Sequence, residues 1–97
     1  MEVRRHPKLA ADIREVAEHY SEISGRVLDR FWAELDTVLE SVERNPRLHH
    51  YDSSGLRRAN LRKFPYHLLF EAEDDTVFLV VFRHDRRHPD YGLDRTQ

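Results

Sequence analysis

The sequence contains no cysteine, only three glycines and no long run of apolar residues. Without cysteine, the chain can form neither a disulfide bond nor a reactive thiolate. No apolar run approaches the roughly 18 residues that a membrane-spanning helix needs. The first residues, MEVRRHPK, also lack the apolar core of a secretion signal. We therefore expect a cytoplasmic protein that has no membrane partner.

Histidine is the remaining candidate for metal binding, because the chain has seven of them. Close groupings occur at His49-His50 and at His84 and His88. The second pair has the four-residue spacing of ligands on a helix, but Pro89 and the strand-like residues before it disfavour a helix there. A helical H-E-x-x-H motif is absent from the sequence. We expect no metal and no cofactor.

Charge is distributed unevenly along a chain whose formal net charge is −2. Residues 8 to 44 carry nine acidic and five basic side chains, whereas residues 56 to 70 carry four basic and no acidic ones. The segment RHDRRH, residues 83 to 88, adds three arginines and two histidines. Local basic clusters of this kind are typical of proteins that contact polyanions. We read the acids of residues 8 to 44 as solvated surface.

The periodicity of apolar residues predicts a strand, two helices and three strands in a single domain, residues 1 to 97. MEVRR is extended, one helix begins at Pro7, and a second runs from about Arg26 to Arg44, where Asn45-Pro46 stops it. Both helices are amphipathic and should form an antiparallel hairpin on one face of a sheet. After a loop at residues 46 to 55, the strands are predicted at residues 56 to 63, 66 to 73 and 76 to 84.

The last predicted strand, TVFLVVFRH, is apolar on both faces, which is typical of a central strand that is covered on both sides. Simple alternation puts one set of residues on one face (Phe78, Val80, Phe82) and the other set on the opposite face (Val77, Leu79, Val81). Because two helices cover one face only, the second face needs the C-terminal tail or another chain. Pro65 separates the basic strand from the next one, so the two basic clusters are expected to lie near one another.

Two segments carry a resemblance to a known family: LRRANLRKFPYHLLFEAEDD at residues 56 to 75 and VVFRHDRRHPDYG at residues 80 to 92. In their order and spacing they resemble the RelE/ParE superfamily of toxins from bacterial type II toxin–antitoxin systems, and the ParE-like branch in particular. The resemblance implies an α+β fold, in which the N-terminal strand joins an antiparallel three-stranded meander and the helices pack on one face. It also implies a cognate antitoxin as partner, with operator DNA contacted only through that antitoxin.

The superfamily includes two activities, and the resemblance leaves both open. ParE-like members poison DNA gyrase, which is the leading expectation. RelE-like members are endoribonucleases that cut ribosome-bound messenger RNA. For that alternative the resemblance indicates Arg62, Arg86 and Tyr91 as catalytic candidates. His67 is the fourth, because an imidazole that titrates near neutrality could serve as the base. However, Asn60 and His67 fall where the RelE-like pattern has a lysine and an arginine, so the nuclease set is incomplete.

A third alternative is an inactive relative that only binds its antitoxin or operator DNA. For every alternative, the basic residues predicted to contact the target or the antitoxin are Arg58, Arg62, Lys63, Arg83, His84, Arg86 and Arg87. The two-sided apolar pattern further suggests that an antitoxin segment adds contacts at residues 77 to 82. Against these functional interpretations, His67 and Arg62 can simply occupy the solvent face of an edge strand. Trp32 is read as a residue at the edge of the core.

Overall fold

The computed structural model describes residues 1–96, which form two helices packed on a four-stranded sheet. The strands are β1 (Glu2–Arg5), β2 (Arg57–Asn60), β3 (Tyr66–Glu73) and β4 (Thr76–His84), and the helices are α1 (Leu9–Ile23) and α2 (Gly25–Arg44). Short 3-10 turns lie at Pro46–Leu48 and Leu93–Thr96. The α+β class and the order of the elements are as predicted.

A single extended residue separates the two helices. Ser24 has φ −170° and ψ 151°, so it ends α1 and precedes α2, and its Oγ accepts a hydrogen bond from the N–H of Val27 at 3.1 Å. This is the usual role of serine at a helix N-terminus. The first helix begins at Leu9 rather than at Pro7, because Pro7 belongs to a turn in which the His6 carbonyl accepts from the Leu9 N–H at 3.0 Å.

The sheet has the strand order β1-β4-β3-β2. The last three strands form the predicted antiparallel meander, and β1 lies parallel to β4 along Thr76 to Leu79. β2 is only four residues long instead of the predicted eight, because the chain turns away after Asn60 to form the Phe-Pro corner. β4 is therefore a central strand, as the apolar residues on both of its faces indicated.

The helices cover the first face of the sheet. The apolar stripes of α1 and α2, with Phe31, Leu35 and Val42 at 2% exposure or less, pack on sheet residues that include Leu68 and Phe70. Neither stripe could be buried without the sheet, so the hairpin and the meander share one core.

A β-bulge changes the faces of β4. Leu69 pairs with Val81 and Phe70 pairs with Leu79, so Val80 is an extra residue in β4. Because of this insertion, Val80 and Val81 both face away from the helices, whereas Phe82 returns to the helix side. The simple alternation predicted for residues 77 to 82 holds as far as Val80 and is wrong for Val81 and Phe82.

The C-terminal tail covers the second face of the sheet. Tyr91 and Leu93 pack on a small core formed by Leu56, Leu69, Val80 and Val81, and the last three are fully buried. Gly92 has φ +82°, and a Cβ atom at this position would lie 2.7 Å from a methyl group of Val81, so only glycine permits this close approach. The sequence left two possible covers for this face, the C-terminal tail or another chain, and the structure shows the tail. The expectation that residues 77 to 82 offer an uncovered apolar face to an antitoxin is thus wrong for Val80 and Val81.

Candidate functional site

The two basic clusters of the sequence meet at one end of the sheet. Tyr66, the first residue of β3, pairs with His84, the last residue of β4, and the Asp85 N–H donates to the Pro65 carbonyl at 2.8 Å. The Phe-Pro corner and the turn after β4 are therefore side by side. We call the exposed or half-exposed basic residues of these two segments the basic end: Arg62, Lys63, His84, Arg86 and Arg87.

The hydrogen bonds of Arg62, Lys63 and Arg86 are made by their backbone N–H groups, which leaves their charged side chains accessible to a partner. Glu34 of α2 accepts hydrogen bonds from the N–H groups of Arg62 and Lys63 through Oε1. The Arg86 N–H donates to Nδ1 of His84 at 3.0 Å. Within residues 1–96, none of the four Arg and Lys side chains of the basic end forms an ion pair within 4.0 Å. Arg87 instead lies 4.1 Å above the Tyr91 ring.

The other basic candidates belong to a network on the second face of the sheet. We call it the buried network because the side chains of Asp52, His67 and Arg83 are almost fully buried in it; its partly exposed members are Arg58 and Asp85. Arg58 contacts Asp52 at 3.1 Å and Asp85 at 3.4 Å. The His67 ring lies between Asp85, 2.9 Å from its Nδ1, and the Arg83 Nε, 2.9 Å from its Nε2. Three strands thus place their charged residues in one hydrogen-bonded chain.

Burial controls the protonation of this network. Burial lowers the pKa of His67 below its ordinary value, and the charges of Arg58 and Arg83 lower this pKa further, whereas the hydrogen bond that Asp85 accepts from the ring raises it. Burial alone would raise the pKa of Asp52, but hydrogen bonds from Ser54 and Arg58 lower it overall. At neutral pH, His67 is therefore neutral and Asp52 is ionised. The interpretation of His67 as a solvent-facing residue is wrong, since only 1% of its surface is exposed.

The Tyr91 carbonyl accepts from Arg83 of the buried network, but the Tyr91 side chain reaches the other edge of β4. Its hydroxyl donates to Oδ1 of Asp12 at 3.5 Å, and Asp12 also forms an ion pair with Arg95 at 2.6 Å. Asp12 was grouped with the solvated acids, although it follows Leu9 by three residues and precedes Val16 by four, which places it on the buried stripe of α1. That spacing was the available signal, whereas nothing in the sequence indicated the role of Arg95.

An apolar groove of about 670 Å³ lies between the two helices and extends to Arg5 at the end of β1. Its apolar lining comes from both helices (Ile13, Ala17, Leu28, Trp32, Leu35, Leu39), and its charged lining includes Arg14 and Asp36. Trp32 is 39% exposed, so it forms a wall of this groove rather than part of the core. This surface was not identified from the sequence.

The described residues 1–96 contain no group of three or more His, Asp or Glu side chains arranged to hold a metal ion. No helix within them combines the length and the apolar character needed to cross a membrane.

The strand order and the helical hairpin define a small α+β protein with a fold of the RelE/ParE type. The family model described as "ParE toxin of type II toxin-antitoxin system, parDE" matches residues 3–89. The chain therefore belongs to the ParE toxin family, on the ParE-like side of the superfamily, and a toxin role follows from that membership.

A solved structure described as a chromosomal ParDE TA system from P. aeruginosa has the same fold. It superposes with a TM-score of 0.63 at 17% sequence identity, over 87% of this chain and 95% of the other. Comparison with curated proteins gives no match.

Proposed function

We propose that this toxin inhibits growth by binding DNA gyrase through the basic end and that a cognate antitoxin neutralises it. One observation favours this proposal over the endoribonuclease: the basic end is exposed, whereas His67, the candidate base, is sealed in the buried network. Exposed cations without an ion-pair partner favour the binding of an enzyme that carries nucleic acid. Inhibition by such binding requires no catalytic group on the toxin.

The endoribonuclease would need a general base within hydrogen-bond reach of the 2′-hydroxyl group and cations around the phosphate. Arg62 and Arg86 are placed to bind a phosphate, but both His67 ring nitrogens already have partners. The Tyr91 hydroxyl faces Asp12. His84 is partly exposed at the basic end and could serve as the general base there, so the endoribonuclease is the second candidate function.

The test of the basic end is the double variant Arg62→Ala/Arg86→Ala. The contacts described for both residues are made by their backbone N–H groups, which alanine retains, so only the guanidinium groups are lost. We expect induced expression of the variant to permit growth, and its melting temperature to stay within a few degrees of the parent, because exposed charges contribute at most about 1 kcal/mol. Purified parent protein should trap gyrase on cleaved plasmid DNA, and the variant should not.

The matched control is Arg44→Ala/Arg47→Ala, which removes two exposed arginines near the C-terminal end of α2 and should leave toxicity unchanged. A folded Arg62→Ala/Arg86→Ala protein that is as toxic as the parent would contradict the proposed role. Cleaved messenger RNA without trapped gyrase would favour the endoribonuclease. Normal growth on expression of the folded parent would favour the inactive binding module.

For the antitoxin, the groove between the helices is the proposed docking site. Its apolar lining matches one face of an amphipathic helix, and a segment that carries charges of both signs could pair with Arg14 and with Asp36. Antitoxin segments of this kind are implied by membership of a toxin–antitoxin family. On the second face of the sheet, the tail already covers Val80 and Val81, whereas Trp32 in the groove is 39% exposed and accessible to a partner.

Trp32→Ala should weaken antitoxin binding by at least about 2 kcal/mol, or about 30-fold in Kd, since tryptophans at the centre of an interface often dominate its affinity. Calorimetric titration with the purified antitoxin would measure this change. Tyr51→Ala, which truncates an aromatic residue that is 67% exposed elsewhere, is the matched control. A larger loss of affinity for Tyr51→Ala than for Trp32→Ala would place the antitoxin on another surface.

A further inference from the structure

Arg83 fastens the C-terminal tail to the sheet. Its side chain is 5% exposed, and its Nη1 donates hydrogen bonds to the carbonyls of Pro89 at 2.8 Å and Tyr91 at 3.0 Å. Tyr91 and Leu93, which follow in the chain, cover Val80 and Val81. Arg83 therefore holds the first part of the tail on the second face, and the Asp12–Arg95 ion pair holds its end.

His67 holds that guanidinium group in place, and it can do so in one protonation state only. A guanidinium group has donors and no acceptor. Since Arg83 Nε donates to His67 Nε2 at 2.9 Å, Nε2 carries no proton. The ring proton is then on Nδ1, which donates to Oδ1 of Asp85 at 2.9 Å. Both nitrogens are used, and the ring is 1% exposed, so solvent cannot take the place of either partner.

We propose that His67 and Arg83 form a proton-sensitive latch, in which protonation of His67 releases the C-terminal tail from the second face of the sheet. A proton on Nε2 would point an N–H donor at the Arg83 N–H donor and place two positive charges about 3 Å apart. Arg83 must then move, and it leaves the carbonyls of Pro89 and Tyr91 when it does. The released tail would uncover Val80, Val81 and Leu56.

The groups around the ring determine the direction of the pH dependence. Arg58 of β2 and Arg83 of β4 oppose a positive charge on His67, whereas Asp85 favours one. Asp52 forms ion pairs with both arginines, at 3.1 Å and 4.0 Å. Burial is the largest effect and lowers the pKa of His67 in the closed state. In the open state the ring is solvated, and its pKa returns to about 6.5. The open state therefore binds more protons, so the closed state is favoured above about pH 6.5 and loses stability as the pH falls toward the closed-state pKa.

Hydrogen exchange of the tail amides between pH 5.0 and 7.5 tests the latch in the whole protein. The amides of Tyr91, Leu93 and Arg95, which are hydrogen-bonded within the tail, report opening once the intrinsic exchange rate is divided out. We expect the opening constant to rise about tenfold for each pH unit below about 6.5, until the pH reaches the closed-state pKa of His67. Amides of β3, such as Leu68, should keep a constant protection.

The matched variants are His67→Gln and His88→Gln. Glutamine at position 67 retains an acceptor for Arg83 but does not titrate, so tail opening should become independent of pH in this range. His88 is in the turn before the tail contacts, with 75% of its side chain exposed, and its replacement should leave the pH dependence of the parent intact. An unchanged pH dependence in folded His67→Gln would overturn the proposal.

A measurement on the unmodified protein keeps the proposal testable if His67→Gln does not fold. The ¹⁵N chemical shifts of the His67 ring follow its protonation directly, and at neutral pH they should show a proton on Nδ1 alone. As the pH falls, tail opening should level off at the midpoint of the His67 titration in the closed state. Tail opening that rises while His67 remains neutral in both states would contradict the latch.

Discussion

Asp12→Ala is expected to destabilise the protein by about 3–5 kcal/mol, the largest effect of any single substitution considered for this chain, because it leaves a buried arginine without its partner. The Asp12 and Arg95 side chains are 5% and 7% exposed and contact each other through two hydrogen bonds, of 2.6 and 3.1 Å. The hydrogen bonds and the charge of Asp12 raise the pKa of Arg95 against the opposing effect of burial, so the variant loses the group that offsets the burial of this cation.

The position of this ion pair explains why its loss is costly. β1 pairs with β4 only as far as Leu79. Beyond Leu79, side chains form the hydrogen bonds to the backbone groups at this edge of β4. Asp12 accepts from the Phe82 N–H at 3.1 Å, and Arg95 donates to the Val80 carbonyl at 3.1 Å. Removing Asp12 therefore also leaves a buried backbone N–H without an acceptor, which costs about 1–3 kcal/mol by itself.

Urea unfolding measures this prediction, with Glu18→Ala as control, since Glu18 is an exposed acid of the same helix and should change stability by less than about 0.5 kcal/mol. Arg95→Met should be milder than Asp12→Ala, because Asp12 keeps its bond to Phe82. Asp12→Ala with a denaturation midpoint equal to that of Glu18→Ala would show that the ion pair does not stabilise the fold.

Leu35→Ala and Val80→Ala should each destabilise the protein by about 2–4 kcal/mol, because each deletes fully buried methyl groups and leaves a cavity. Leu35 is 2% exposed in the core under the helices, and Val80 is 0% exposed in the core under the tail. In a domain of this size, each kilocalorie per mole lowers the melting temperature by about 4–8 °C. Thermal unfolding of both variants should therefore show shifts of about 8 °C or more.

The comparison of the two variants tests whether both faces of the sheet are structural. Leu48→Ala removes an apolar side chain that is 74% exposed and should leave the melting temperature nearly unchanged. If Val80→Ala behaved like Leu48→Ala, the tail would not be packed on the second face in solution. If only Leu35→Ala were tolerated, the helices would not share a core with the sheet.

The periodicity of the sequence was sufficient for the helices and for the central position of β4, since the spacing of Phe31, Leu35 and Val42 is a local property of the chain. It was not sufficient for the face that each residue of β4 occupies. The bulge at Val80 is a matter of pairing with β3, so Phe82 was assigned to the wrong face. The end of β2 at Asn60 also depends on a distant residue, because Glu34 holds the corner that follows it.

The candidate site also had one part that the sequence could predict and one part that it could not. By itself, the sequence determined that Arg62, Lys63, Arg86 and Arg87 flank strands and that the chain resembles the RelE/ParE toxins, because charge, turn residues and motif order are encoded locally. Only the tertiary structure decided that His67 and Arg83 are buried and that the half-buried Arg58 joins them, whereas Arg62, Lys63, Arg86 and Arg87 stay exposed. The reason is physical: strand alternation leaves both faces open to a charged residue, and the burial of that residue depends on which segment, here the C-terminal tail, finally packs against it.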